Sequence, residues 1–147
     1  MKIADALILR KEYKTVKNNL ERRIRRNAKV EKGGTPNEDV LKLVDEWSEV
    51  EEKLRKLIIK INHNNLNTTL ESGMIVADAI AYKNSLMNKK NMLDNLMHES
   101  MGSSYRDDPI EPCVDIGDIQ KKISLISKEY REINSQIQLS NWQTELV

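Results

Sequence analysis

Apolar residues recur at steps of three and four along most of this chain, the period of one helix face. From about Lys2 to Lys29, Ala6, Leu9, Tyr13, Val16, Leu20 and Ile24 make one stripe, while Leu7 and Ile8 fall off it and leave the first turns apolar on more than one side. From about Glu38 to Asn64, Leu43, Trp47, Val50, Leu54, Leu57 and Ile61 alternate by four and three, a coiled-coil-like seam. From about Gly117 to Ser140, Ile119, Ile123, Ile126, Tyr130, Ile133 and Ile137 continue from Ile116 with the same alternation. Between them, about Ala77 to Ser100, the pattern doubles. Ile80 and Met87 mark one line and Leu86, Leu93 and Met97 another, which predicts a helix flanked on two sides.

The breaks are equally legible. Val30–Asn37 carries Gly33, Gly34 and Pro36, so the first two helices must fold back as an antiparallel hairpin, with Asn37 or Thr35 as the cap and Glu38 and Asp39 favouring the helix dipole. At Ile61–Ala81 the helical period stops and asparagines cluster. Thr68–Leu70 and Met74–Val76 flank Glu71-Ser72-Gly73, which suits a short β-hairpin turning at Gly73. Ile110–Ile116 alternates, and Pro112 within it and Pro109 just before it suit an edge, a candidate third strand. Gly102–Asp115 reads as a polar loop with Tyr105, Arg106 and an acidic pair, and the tail with Trp142 is expected to dock. The fold class is mainly α: long antiparallel helical hairpins in a four-helix, coiled-coil-like bundle, with a small β-hairpin or sheet near 67–76 and 110–116, all in one helical domain over 1–147.

Composition narrows the setting. Charged residues are 32% of the chain and apolar ones 39%, with no Phe, which fits a helix-rich protein better than a sandwich or barrel. The formal net charge is only +1, so no global field points at nucleic acid or a membrane. The first apolar run is too short for a secretory leader, no window approaches a membrane span, and Cys113 stands alone; a cytoplasmic location is expected.

Locally the charge is strongly sorted. Arg10–Lys32 holds ten basic and three acidic residues, and Glu38–Glu52 holds seven acids and one Lys. The hairpin lays these runs side by side, so pairing is the first reading. The second is a site for a small anionic ligand such as a nucleotide, held by Arg22, Arg23, Arg26 and Asn27 with Asn62 and Asn65 of the asparagine cluster. Nucleic acid is disfavoured by the scarcity of interleaved aromatics. No metal motif, cofactor fingerprint or catalytic constellation is spelled out, so no metal, no cofactor and no enzyme activity are expected. Apolar residues beyond the assigned stripes, Leu7, Ile8, Leu86, Leu93 and Met97, point to a homo-oligomer, a dimer or a multiple of one, and a structural or interaction role.

Four stretches together resemble a bacterial family of unknown function often labelled septicolysin: Ala6–Arg10 (ALILR), Arg26–Val30 (RNAKV), Ile61-Asn62 with Asn65, and Asn141–Leu146 (NWQTEL). Lys83-Asn84 stands where the resemblance implies an Arg-Asp pair. The label implies a thiol-activated pore-forming toxin. The residues show no Trp-rich loop around Cys113 and no long amphipathic β segments, so the resemblance implies a helical protein without an assigned activity.

Overall fold

The computed structural model describes residues 1–102 and 110–147, and it is mainly α. Tyr105, Arg106 and the acidic pair of the polar loop lie outside the described residues. The helices are α1 (Ile3–Asn27), α2 (Val40–Asn67), α3 (Val76–Ser100) and α4 (Ile116–Gln143). They divide between two compact units, one of Met1–Asn67 with Asn141–Val147 and one of Thr68–Ser140.

In the first unit α1 and α2 form the expected antiparallel hairpin. Lys17 meets Glu51, Trp47 Nε1 donates to Glu21 at 3.1 Å, and Ala6 packs with Leu57 and Ile61 near the opposite end. Leu43, Leu54, Leu57 and Ile61 are buried along α2, and Ile24 lines one groove with Trp47, as the pairing requires. The α1 side of the seam differs from the apolar pattern at one step. It runs from Tyr13 through Lys17 to Leu20, leaving Val16 42% exposed. The Lys17 stem lies along apolar surface while its ammonium pairs with Glu51 and sits 4.9 Å from the centre of the Trp47 ring.

The turn into α2 uses Gly33 at a φ of 87°. The cap is Asp39, whose Oδ1 accepts from the backbone N–H of Leu41 at 3.1 Å and of Lys42 at 3.3 Å; neither Asn37 nor Thr35 takes that role. A carboxylate directly before the first helical residue reaches these orphan donors, which residues two or four positions earlier do not.

The second unit is also an antiparallel helix pair. Val76, Ala79 and Leu86 of α3 cluster with Ile133 and Ile137 of α4, and Tyr82 donates to Glu129 at 2.9 Å. The expected double stripe on α3 is one stripe. Val76, Ala79, Leu86 and Leu93 are buried, Ile80, Met87 and Met97 are half-buried beside them, and Lys83 and Lys90 occupy the intervening positions. Two lysines on the packed face hide its apolar period. Lys83 Nζ reaches Asn134 at 3.5 Å and Lys90 Nζ pairs with Asp94 at 2.8 Å.

The β-hairpin is present in reduced form. Thr69 and Ile75 make a single antiparallel bridge around Gly73, whose φ is 86°, and Leu70 N–H donates to Met74 at 2.8 Å. Residues 110–116 do not add a strand. Residues 110–115 are irregular and Ile116 already begins α4, capped by Asp115, whose Oδ1 accepts from Asp118 N–H at 3.1 Å. Pro112 offers no N–H to a ladder. The described residues contain no helix long and apolar enough to cross a membrane.

Leu54→Ala should cost about 2–5 kcal/mol of stability in urea titration, as for other buried Leu truncations. Leu86→Glu should abolish the cooperative unfolding of the second unit rather than change the mass of a folded species.

Candidate functional site

Two features of the first unit gather most of the chemistry in the chain: the charged flanks of the α1–α2 seam, and a polar clamp at its far end.

On the seam, pairing is selective. Arg23 Nε donates to Glu38 Oε2 at 3.0 Å, and the second guanidinium nitrogen meets the other carboxylate oxygen. Asn27 works beside it, donating to Arg23 O at 2.9 Å and accepting from Glu38 N–H at 3.2 Å. Arg23 and Asn27, expected on a ligand, thus close the hairpin loop instead. Arg22 and Arg26 are exposed, and Arg22 donates to Asn19 one turn earlier. The hydrogen bond from Arg23 holds the Glu38 carboxyl below its ordinary value of 4.5, and the one from Arg55 brings Glu52 to about 2.

The asparagine cluster lies at the other end of α2. From Val40, the first residue of α2, to Asn62 is 22 residues, about 33 Å of helix. The structure does not bring Asn62 and Asn65 together with Arg22, Arg23, Arg26 and Asn27, so these residues line no common pocket. Asn62 is exposed and Asn65 half-buried, while Asn67 Nδ2 caps the helix end by donating to His63 O at 2.7 Å.

The residue that matters there is Asn64. It is buried and continues the α2 seam one step past Ile61. Its Nδ2 donates to Glu145 O at 2.9 Å and its Oδ1 accepts from Val147 N–H at 3.1 Å, bracketing Leu146, which packs on the Ala6–Leu57–Ile61 cluster. On its other edge the tail pairs with the start of the chain. Ile3 N–H donates to Thr144 O at 3.0 Å, Leu146 N–H to Met1 O at 2.8 Å, and Lys2 and Glu145 form an antiparallel bridge. The Glu145 carboxylate takes Lys2 Nζ at 2.7 Å and the Met1 amino group at 3.0 Å, and these bonds, Lys2 first, lower its pKa. The tail therefore docks as expected, but through Leu146; Trp142 is left 58% exposed. The seam spacing alone could have flagged Asn64, since Ile61 to Asn64 is the next step of three.

The residues expected on a surface shared by copies scatter. Leu86 and Leu93 are 2% and 8% exposed inside the second unit, because the α3 stripe they belong to is the one that packs on α4. Met97 is half-buried on that stripe, and Leu7 packs against the first unit's cluster. Ile8 is open to solvent, at 53%. Cys113 is exposed, and no cluster of three metal-ligating side chains occurs among the described residues.

Long antiparallel helix pairs, closed by side-chain amides and ion pairs, define the class of this protein as helical-hairpin. The sequence matches the family described as "Family of unknown function (DUF6847)" over residues 10–146, and the chain belongs to it. It is also similar, at 30% identity and a TM-score of 0.91 over 100% of this chain and 99% of the other, to the protein whose crystal structure is titled as that of a functionally unknown conserved protein from Corynebacterium diphtheriae. No curated protein matches the chain.

The carboxyls of Glu38, Glu52 and Glu145 are all held below their ordinary value of 4.5 in the fold. A depressed folded pKa adds stability that is complete above the unfolded value and is lost as pH falls through the folded one. The melting temperature should therefore drop as pH is lowered from about 5 to 2, and Glu145→Gln should make that drop shallower. A melting temperature constant over this range would contradict the assignment.

Proposed function

We propose that the protein is an interaction protein that works as an assembly with copies of itself, a dimer or a multiple of one, in the cytoplasm. It performs no reaction of its own, and the pore-forming activity implied by the septicolysin label does not belong to it. The observation that carries this reading is the apolar surface that each helix pair leaves uncovered: besides Leu41 and Leu125, Ile8 and Ile59 of the first unit and Met92 and Leu139 of the second are exposed.

That exposure has a physical cause. Two helices meeting along one seam cover one stripe each, so a hairpin leaves apolar side chains on its other faces. Leu41 is 75% exposed and Leu125 64% exposed. A standard interface removes about 800 Å² from each partner. A second copy suits this surface because the net charge of +1 sets up little repulsion between copies, and closed homo-oligomers are the common outcome for soluble chains.

Sedimentation velocity at micromolar protein should give a species of at least twice 17.0 kDa. A strictly monomeric species across the concentration range would overturn the reading.

A further inference from the structure

The ion pairs of the hairpin sort the basic residues of α1, half-buried Arg10 aside, into two groups. Lys17 and Arg23, on the flanks of the seam, pair with Glu51 and Glu38 of α2. Lys11, Lys14, Arg22, Arg25 and Arg26 are exposed, and none of them forms a salt bridge among the described residues. At 3.6 residues per turn these five cations fall within an arc of about 120° on the side of α1 away from its buried line, over a length of about 22 Å. The acids of α1, Asp5, Glu12 and Glu21, lie outside that arc. Asp5 bonds the backbone of Lys2, and Glu21 is engaged by Trp47. The helix dipole gives a reason for Arg25 and Arg26, which stand in the last turn, but none for Lys11, Lys14 or Arg22.

We infer that this face binds the sugar-phosphate backbone of a double-stranded nucleic acid without reading its sequence. The chemistry of the arc selects this partner. Between the cations lies Asn18, exposed and able to donate to phosphate oxygens, while the Thr15 hydroxyl is taken by Lys11 O at 3.1 Å. A membrane-bound helix would present apolar residues for burial among acyl chains, and a protein interface would have an apolar or aromatic centre. A small phosphate ligand needs a concave site, whereas this is the convex side of a helix. The scarcity of aromatics argues against stacking on single-stranded bases and is neutral toward backbone contacts with a duplex. The inference is independent of self-assembly, since it rests on the ion pairs and the geometry of α1.

The test is fluorescence anisotropy of the full-length protein with labelled duplex DNA and duplex RNA at about 50 to 200 mM salt. Five phosphate contacts predict a log–log slope of about −4.5, a loss of several hundredfold over that range. The variant carrying Arg22→Glu, Arg25→Glu and Arg26→Glu should bind at least about tenfold more weakly, while Lys53→Glu, Lys56→Glu and Lys60→Glu, an equal charge change on α2, should leave binding within about twofold. Circular dichroism checks that both fold. If the first does not, Lys11→Gln with Lys14→Gln should reduce the slope by about two. No binding at the lowest salt, equal weakening by the two triple variants, or retention on anionic vesicles without duplex binding would each overturn the inference.

Discussion

The first unit depends on a buried amide. Asn64 sits on the apolar seam of α2 where a leucine would pack without any polar cost, and a buried amide left unpaired there would be destabilising by about 1–3 kcal/mol. It is paired on both atoms, and both partners belong to the C-terminal tail. A side-chain amide can present an N–H and a C=O on one edge, as a residue of a β-strand does, so Asn64 acts as one rung of a strand. The tail then offers its other edge to Met1–Ile3. Three apolar residues, Ala6, Leu57 and Ile61, form the buried cluster that Leu146 covers. Buried polar residues on helical seams fix register, and this one also decides which segment covers the end of the hairpin.

The four stretches that carry the family resemblance make sense in these terms. Ala6 and Leu7, Ile61, and the Asn141–Leu146 segment with buried Asn141 all take part in this end of the first unit or its surroundings, and Asn27 closes the opposite end through Glu38. The motifs mark where separate segments meet and hold one another. Charge follows the same economy of placement: cations flanking the seam pair across it, and those pointing outward remain available. What one helix pair cannot do is cover its own outer faces, and that geometric limit underlies the proposed assembly.

The seam of α2 and the stripe of α4 were readable because every step of three or four is apolar, so the period survives inspection. α3 was not, because Lys83 and Lys90 stand on its packed face and split one line into two apparent ones. The turn at Gly73 was legible from its flanking strand formers, yet two short segments support only one bridge; Ile110–Ile116 looked like a strand by alternation alone, a signal that Pro112 and the cap at Asp115 outweigh. Among the candidate site residues, types were easier to read than partners. Arg23 and Asn27 look like ligand groups in the sequence, and only the position of Glu38 shows that they are already occupied. Asn64 hid inside a cluster of similar residues, and nothing local distinguishes it except its place in the heptad.

The most direct test is hydrogen exchange of the tail in the Asn64→Leu variant, which keeps the branched shape and removes both hydrogen bonds. The amides of Leu146, Val147 and Ile3 should exchange faster, together with a loss of about 1–3 kcal/mol in urea titration. Unchanged protection at those amides with equal or greater stability would show that apolar packing of Leu146 alone holds the tail, and would contradict the role given to Asn64.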